Sequence, residues 1–236
     1  MRETIFISGA DKGLGFALAF RFLQGGFGVF AGAYLRDPDL LRLREKFQET
    51  LTIIPLDVSR MASIRSAAER TARHISGLDV IINNAGINMQ KQGSAPLPEL
   101  DLVDRHLEKV MAVNTFGPLR VVQQFLPLLN QGQRKMIVNI SSEAGSIADC
   151  GRQSEFAYCM SKSALNMQSK LLQNYLEPQG FKVLAVHPGW MRTDMGGPDA
   201  TLDPNQSAEG IFTLATGDWS PDDPIYIDYL GKPLRW

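Results

Sequence analysis

Thr4-Ile5-Phe6-Ile7-Ser8-Gly9-Ala10-Asp11-Lys12-Gly13-Leu14-Gly15 passes from a short apolar run, through a glycine turn, into an amphipathic stretch over 14–24. The apolar run reads as a strand covered on both faces, and the stretch after it as a helix. Glycine keeps such a turn tight and lets backbone N–H groups approach an anion at the helix N-terminus. The spacing is G-x-x-x-G-x-G rather than G-x-G-x-x-G. Many strand-to-helix turns carry glycine for conformational reasons alone. The strand–turn–helix setting makes a bound dinucleotide the better reading.

The pattern repeats outward from this unit. Strand-like runs occupy 4–8, 28–33, 51–57, 80–83, 135–141, 181–187 and 225–228, all rich in Val, Ile, Leu and Phe. Amphipathic stretches lie between them at 14–24, 38–47, 62–75, 100–129 and 156–176. The alternation predicts an α/β fold, a doubly wound parallel sheet with helices on both faces. Pro118 and Pro127 are expected to bend or end the long 100–129 stretch. No repeat, low-complexity tract or linker interrupts the chain, so one domain is expected over 1–236. The most irregular segment, 190–205, holds Gly196, Gly197, Pro198 and Pro204 and is a candidate lid.

Composition narrows the class. With 44% hydrophobic and 21% charged residues, the 236-residue chain reads as an ordinary globular protein. A net charge of −1 gives no basic surface for nucleic acid or anionic membrane. No apolar run approaches the ~20 residues of a membrane span. The first residues lead directly into a strand pattern, without the apolar core and cleavage site of a signal peptide. Cys150 and Cys159 are the only cysteines, which suits a reducing, cytoplasmic setting. His74, His106 and His187 show no ligand-like spacing, and no metal site is expected.

The chemistry is carried by Tyr158-Cys159-Met160-Ser161-Lys162, sixteen residues after Ser142. A lysine four residues beyond a tyrosine lies on the same helix face. Its charge favours the phenolate and is expected to draw the phenol down from its usual pKa of about 10. A serine hydroxyl brought beside the phenol can hold a substrate oxygen. The set suggests proton transfer to or from an alcohol or carbonyl, although Tyr-x-x-x-Lys alone is often two ordinary helix residues. At the cofactor end, no carboxylate precedes Asp37 after the second strand, while Lys12 and Arg36 can meet a ribose 2′-phosphate; this favours NADP over NAD. A solvated Arg36, or an Asp37 turned toward the ribose, is the competing arrangement. Asp57 is either an acceptor for the adenine amine or a local Asx-turn acceptor.

In order, the chain presents the glycine turn, Leu56-Asp57-Val58, Asn83-Asn84-Ala85-Gly86, Asn114, Ser141-Ser142, Tyr158-x-x-x-Lys162 and Pro188-Gly189. Over nearly its whole length it resembles the short-chain dehydrogenase/reductase family, and residues 225–236 are similar to small carbonyl reductases and related developmental signalling proteins. The resemblance implies a Rossmann-type fold, a nicotinamide cofactor and reversible hydride transfer between an alcohol and a ketone or aldehyde. It implies Tyr158 as acid/base and Lys162 as partner of the nicotinamide ribose. It further implies Ser142, which begins S-x-x-G, as the catalytic serine, and Asn114 as anchor of a proton-relay water. Ser141 and Asn83 take structural roles. Gly9, Asp11, Lys12, Gly13, Leu14, Gly15, Arg36, Asp57, Val58, Asn84, Ala85, Gly86, Pro188, Gly189 and Thr193 fall at cofactor-binding positions, together with Tyr158 and Lys162. Arg36 departs from the pattern, since about two more residues precede it than in NADP-dependent relatives. The resemblance also implies a homodimer or homotetramer paired through 100–129 and 156–176.

Three loops, 87–98, 143–155 and 190–205, are expected to border the substrate. They and the residue after them offer Ile147, Cys150, Phe156, Trp190, Met191 and Met195, with Arg152 and Arg192 as anchors or solvated cations. A small to medium, mainly apolar carbonyl or alcohol fits this lining. A second reading is an NAD(P)-binding redox sensor or developmental signalling protein with little turnover; the presence of Asn114, Ser142, Tyr158 and Lys162 favours catalysis.

Overall fold

The computed structural model describes residues 2–89 and 106–236. Strands β1 (Thr4–Ser8), β2 (Gly28–Ala33), β3 (Leu51–Pro55), β4 (Val80–Asn83), β5 (Met136–Ile140), β6 (Lys182–His187) and β7 (Tyr226–Asp228) form one sheet. Its order is β3-β2-β1-β4-β5-β6-β7, and every pairing is parallel. The order reverses between β1 and β4, where a crevice opens at the carboxyl ends of the strands.

The continuous apolar runs divide by parity between two cores. Ile5, Ile7, Val80, Ile82 and Val138 face one side, with α1 (Gly13–Gln24), α2 (Pro38–Lys46) and α7 (Pro204–Thr216). Phe6, Ile81 and Ile137 face the other, with α3 (Met61–Ala72), α5 (Gly117–Gln131) and the end of α6 (Phe156–Leu176). No helix among the described residues is long and apolar enough to cross a membrane.

Helix α7 escaped the sequence reading, which let the irregular segment run to Asn205. Its start has a full capping box: Asp203 accepts from Asn205 N–H at 2.8 Å, and the Gln206 side chain accepts from Asp203 N–H at 3.2 Å. Pro204 occupies the first turn, where its missing N–H costs nothing. The helix docks on α1 through Phe212, whose ring lies 4.9 Å from Phe22 and under the Arg21 guanidinium at 3.6 Å.

The long 100–129 stretch begins outside the described residues. Its described part is α4 (His106–Met111), a π turn at Ala112–Phe116, and α5. Pro118 has no N–H to give the Asn114 carbonyl, so the regular rung cannot form there. The amide of Gln168 on α6, oriented by its surroundings, enters the next rung. Its nitrogen donates to Thr115 O at 2.9 Å and its oxygen accepts from Leu119 N–H at 3.2 Å. Pro127, expected to bend or end the stretch, lies inside α5 without ending it.

Candidate active site

The glycine turn is built for close backbone approach. Gly9 has φ +66, and a Cβ there would sit 2.9 Å from Ala85 Cα. A Cβ on Gly15 would sit 1.9 Å from Gly9 O. Asn84 Nδ2 donates to Ser8 O at 3.0 Å and Gly9 O at 2.9 Å, fastening the turn to the end of β4. Lys12, the N-cap of α1, makes no side-chain cap, and the first turn holds no acid. This helix start therefore keeps the donors and dipole that a pyrophosphate needs, and the residues fit a dinucleotide. Leu14 and Val58 are buried, so cofactor contacts at these positions would run through the backbone.

At the adenosine end the charges are arranged differently from the expectation. Lys12 Nζ pairs with Asp194 Oδ2 at 2.6 Å, which joins the glycine turn to the 190–205 segment. Arg36 is exposed beyond β2. Asp37 Oδ1 caps α2, accepting from Asp39 N–H at 2.8 Å and Leu40 N–H at 3.4 Å. Asp57 Oδ1 accepts from the Ser59 amide at 2.9 Å and hydroxyl at 2.6 Å, the Asx-turn arrangement. Asp11, buried in the turn, accepts from Tyr34 N–H at 3.4 Å.

The candidate lid is tied rather than loose. Arg192 N–H donates to Leu202 O at 2.9 Å, Leu202 N–H to Trp190 O at 3.1 Å, and Trp190 Nε1 to Gly196 O at 2.9 Å. Thr193 faces Gly13, where a Cβ would meet its methyl at 3.4 Å. Pro188 O accepts from Ser207 Oγ at 2.7 Å, and Gly189 has φ +82, with Leu202 where a Cβ would stand.

Beyond β5 the two serines diverge. Ser141 Oγ donates to Asn166 Oδ1 at 2.5 Å and is buried. Ser142 Oγ accepts from Ala144 N–H at 3.1 Å and faces the Tyr158 phenol. Lys162 lies under the same face of α6. Its Nζ is 5.7 Å from the Tyr158 ring centroid and donates to Ile140 O at 2.7 Å. Burial lowers the ammonium to about 8. Tyr158 keeps part of its surface accessible, yet desolvation pushes its phenol up to about 12. The expected lowering of Tyr158 by Lys162 is therefore reversed in the protein alone, because burial prevails and the ammonium is bonded elsewhere.

Asn114, in the π turn, holds the chain after Gly86 in a two-way clasp. Its Oδ1 accepts from Ile87 N–H at 2.8 Å, and its Nδ2 donates to Ile87 O at 2.8 Å and Ser161 Oγ at 3.0 Å. A Cβ on Gly86 would lie 3.6 Å from Asn114 Oδ1 and 3.8 Å from Lys162 Nζ. Asn83 instead donates to Asn139 Oδ1 at 2.8 Å inside the sheet.

Sequence reasoning named Arg152 as an anchor or a solvated cation but did not join it to Glu143, Glu155 and His187 in the charged group beside the phenol. It also missed Tyr226, whose hydroxyl donates to Ser142 O at 2.8 Å and whose ring stacks on Trp236 at 5.0 Å. Glu143 was visible as the residue after Ser142, but its partners come from distant segments. Ile147 and Cys150 line an open apolar cavity with Met111, Cys159 and Met160, and Tyr158 is not part of its lining. Met191 packs against the core, while Phe156, Trp190 and Met195 are exposed. Of the expected loop 87–98, residues 90–98 lie outside the described residues. No cluster of three or more potential metal ligands occurs among the described residues.

The family described as short chain dehydrogenase matches residues 3–201. C-signal of Myxococcus xanthus is 37% identical over 159 residues, covering 67% of this chain and 93% of that protein. Estradiol 17-beta-dehydrogenase 2 of Mus musculus is 32% identical over 83% of this chain, which spans only 50% of that protein's length. Among solved structures, the NADPH-bound carbonyl reductase from chicken fatty liver superposes with a TM-score of 0.88 at 31% identity, with 100% of both chains covered. Carbonyl reductase Sniffer of D. melanogaster gives 0.90 at 29% identity, again over 100% of both. A family match across most of the sequence thus coincides with the parallel sheet, the glycine turn and the serine–tyrosine pair: the chain belongs to the short-chain dehydrogenase/reductase family of oxidoreductases.

Proposed function

We propose that this protein is an NADP-dependent carbonyl reductase acting on a small to medium, mainly apolar ketone or aldehyde, or on the corresponding alcohol. The convergence of the Ser142 hydroxyl with the Tyr158 phenol, above buried Lys162, carries the reading. A phenol near 12 is protonated at neutral pH and can give its proton to a carbonyl oxygen. The nicotinamide, when bound, supplies the hydride. Gly9, Gly13 and Gly15 admit its pyrophosphate, and Gly86 leaves room above Lys162 and Asn114. Pro188, Gly189 and Thr193 are placed to line the nicotinamide end, with Asn84 and Ala85 beside the turn. NADP is supported by Lys12, by the engagement of Asp37 in its helix cap, and by the NADPH-bound relative. We further propose that residues 1–236 act as one catalytic domain, in a cytoplasmic homo-oligomer, with the 190–205 segment as substrate lid.

The test is a carbonyl and alcohol panel with NADPH, NADH and their oxidised forms, followed at the nicotinamide absorbance. Turnover that disappears in Tyr158→Phe is the expected result. Tight cofactor binding with no turnover on any compound would replace this reading by a sensing or signalling role.

A further inference from the structure

The Ser142 hydroxyl has one proton, and it goes to Glu143 Oε2 at 2.7 Å. The same Oγ accepts from Ala144 N–H, so with its proton on Glu143 it can offer the neighbouring phenol only a lone pair. Stabilising a carbonyl oxygen requires Ser142 to donate, and hence to rotate away from Glu143. What holds Glu143 therefore governs the serine. Its Oε1 is bonded by one arm of Arg152, and its Oε2 lies 3.2 Å from His187 Nδ1. The Glu143 amide also donates to that nitrogen, at 3.3 Å. The other arm of Arg152 binds Glu155, which in turn accepts from Asn88 Nδ2. Glu155 sits at φ +60 just before α6, a conformation that a side chain other than glycine keeps only when its surroundings enforce it.

We propose that Glu143 and Arg152 are positioning residues for the proton transfer, Glu143 holding the Ser142 proton away from Tyr158 and Arg152 fixing Glu143. This rests on the reading of Ser142 and Tyr158 as the acid–base pair. The two charges also act on the phenol with opposite sign: Glu143 disfavours the phenolate, as does Glu155, and Arg152 favours it. Burial would raise Glu143, but Ser142, His187 and Arg152 outweigh it and hold the carboxyl below its usual range. The other titratable groups facing the cluster, among the described residues, are Lys162 and Cys159 on α6, His187 at the end of β6 with Asp228 near it, and Tyr226 on β7, whose hydroxyl donates to Ser142 O and whose phenol burial raises. Burial holds His187 below the usual imidazole range, so it is neutral throughout alkaline titration.

Alcohol oxidation needs the phenolate, so its rate rises with pH through the Tyr158 midpoint. Glu143→Gln should move that limb down by about half a pH unit, and Arg152→Gln should move it up by a similar amount. The double variant should return most of the way. Carbonyl reduction in Glu143→Gln should gain in kcat with little change in KM, since a neutral amide oxygen holds the Ser142 proton less tightly than a carboxylate. Shifts of the same sign, or no shift, with cofactor affinity unchanged, would reduce the pair to a structural role. If the wild-type protein turns over nothing, the functional reading fails separately. The inference is then read from ultraviolet difference titration of the tyrosine against Tyr158→Phe, where the same opposite displacements support it and coincident midpoints overturn it.

Discussion

The Lys162 ammonium reaches past Tyr158 to the Ile140 carbonyl, 2.7 Å away, and stays 5.7 Å from the centre of the tyrosine ring. The two side chains share a face without sharing a proton. Tyr158→Phe removes the proton donor and keeps the ring packing. Turnover should fall by ~10²–10⁴-fold, the usual contribution of general acid–base catalysis, while cofactor affinity changes less than about twofold. Lys162→Ala should weaken both. Steady-state rates beside cofactor titration test the split, and a Tyr158→Phe variant near wild-type activity would refute the mechanism.

The same burial makes Lys162 a stability determinant. Its folded pKa of about 8 lies below the ordinary lysine value of 10.5, so between these values the unfolded chain binds more protons and stability rises with pH. Below about 8 the cost is present in full, and above 10.5 it is gone. Tyr158 works oppositely above pH 10, because its raised midpoint near 12 makes stability fall there. Lys162→Met should stabilise the apoprotein at pH 7 by ~1–3 kcal/mol, about 1.4 kcal/mol corresponding to each pKa unit. The gain should shrink from pH 8 to pH 10 in urea titrations. A pH-independent difference would contradict the burial of a charged lysine.

Ser142→Ala should cost far more activity than Ser141→Ala, since Ser142 meets the phenol and Ser141 is turned to Asn166. Ser141→Ala leaves a buried Asn166 oxygen without this donor, which costs ~1–3 kcal/mol of stability. Kinetics and denaturation should therefore rank the two variants in opposite order. Equal kinetic losses would place both hydroxyls in the site.

The sheet was legible because each strand is apolar on both faces: Ile5, Phe6 and Ile7 alternate between two cores, yet all read as hydrophobic. The Ser142–Tyr158 meeting was legible as an ordered motif. Helix α7 was overlooked although Asp203, Pro204 and Gln206 spell its start, because the glycines before it drew the reading toward a loop. The charged cluster could not be read locally. Asn88, Glu143, Arg152, Glu155 and His187 come from separate strand ends and loops, and only the fold brings them together. The direction of the Tyr158 shift was likewise hidden, since helix spacing gives proximity to Lys162 but says nothing of desolvation.

Helix α6 exposes Met160, Met167, Leu171 and Tyr175, and the neighbouring π turn and α5 expose Phe116 and Leu119. Large apolar side chains gathered on one face are suited to a symmetric pairing with a second copy. Light scattering should give at least twice the 26.1 kDa of one chain at micromolar concentration. Met167→Glu with Leu171→Glu should shift the species to one chain mass. A wild-type protein that already runs as a single chain would remove the expectation.

NADPH should bind more tightly than NADH, and Lys12 should be the reason. Its ion pair with Asp194 is exposed, the two side chains keeping 55% and 80% of their surface. Such a pair contributes only ~0–1 kcal/mol and gives way readily to a better anion. A 2′-phosphate is that anion, since a charge-assisted hydrogen bond is worth ~1.5–3 kcal/mol and about 1.4 kcal/mol is a factor of ten. Asp37 does not compete, because its Oδ1 is committed to the α2 cap at 2.8 Å from Asp39 N. Asp37→Ala should then cost ~1 kcal/mol of stability and, by removing a charge that acts on Lys12, shift cofactor choice no further than slightly toward NADPH. Lys12→Ala should weaken NADPH about tenfold and NADH less than twofold. Asp194→Asn should tighten NADPH, since it releases Lys12 and removes a negative charge from the approach of the phosphate. Titrating the three variants and the parent with both reduced cofactors decides the matter: tighter NADH in the parent, or equal losses of both cofactors in Lys12→Ala, would show that Lys12 serves the Asp194 contact alone.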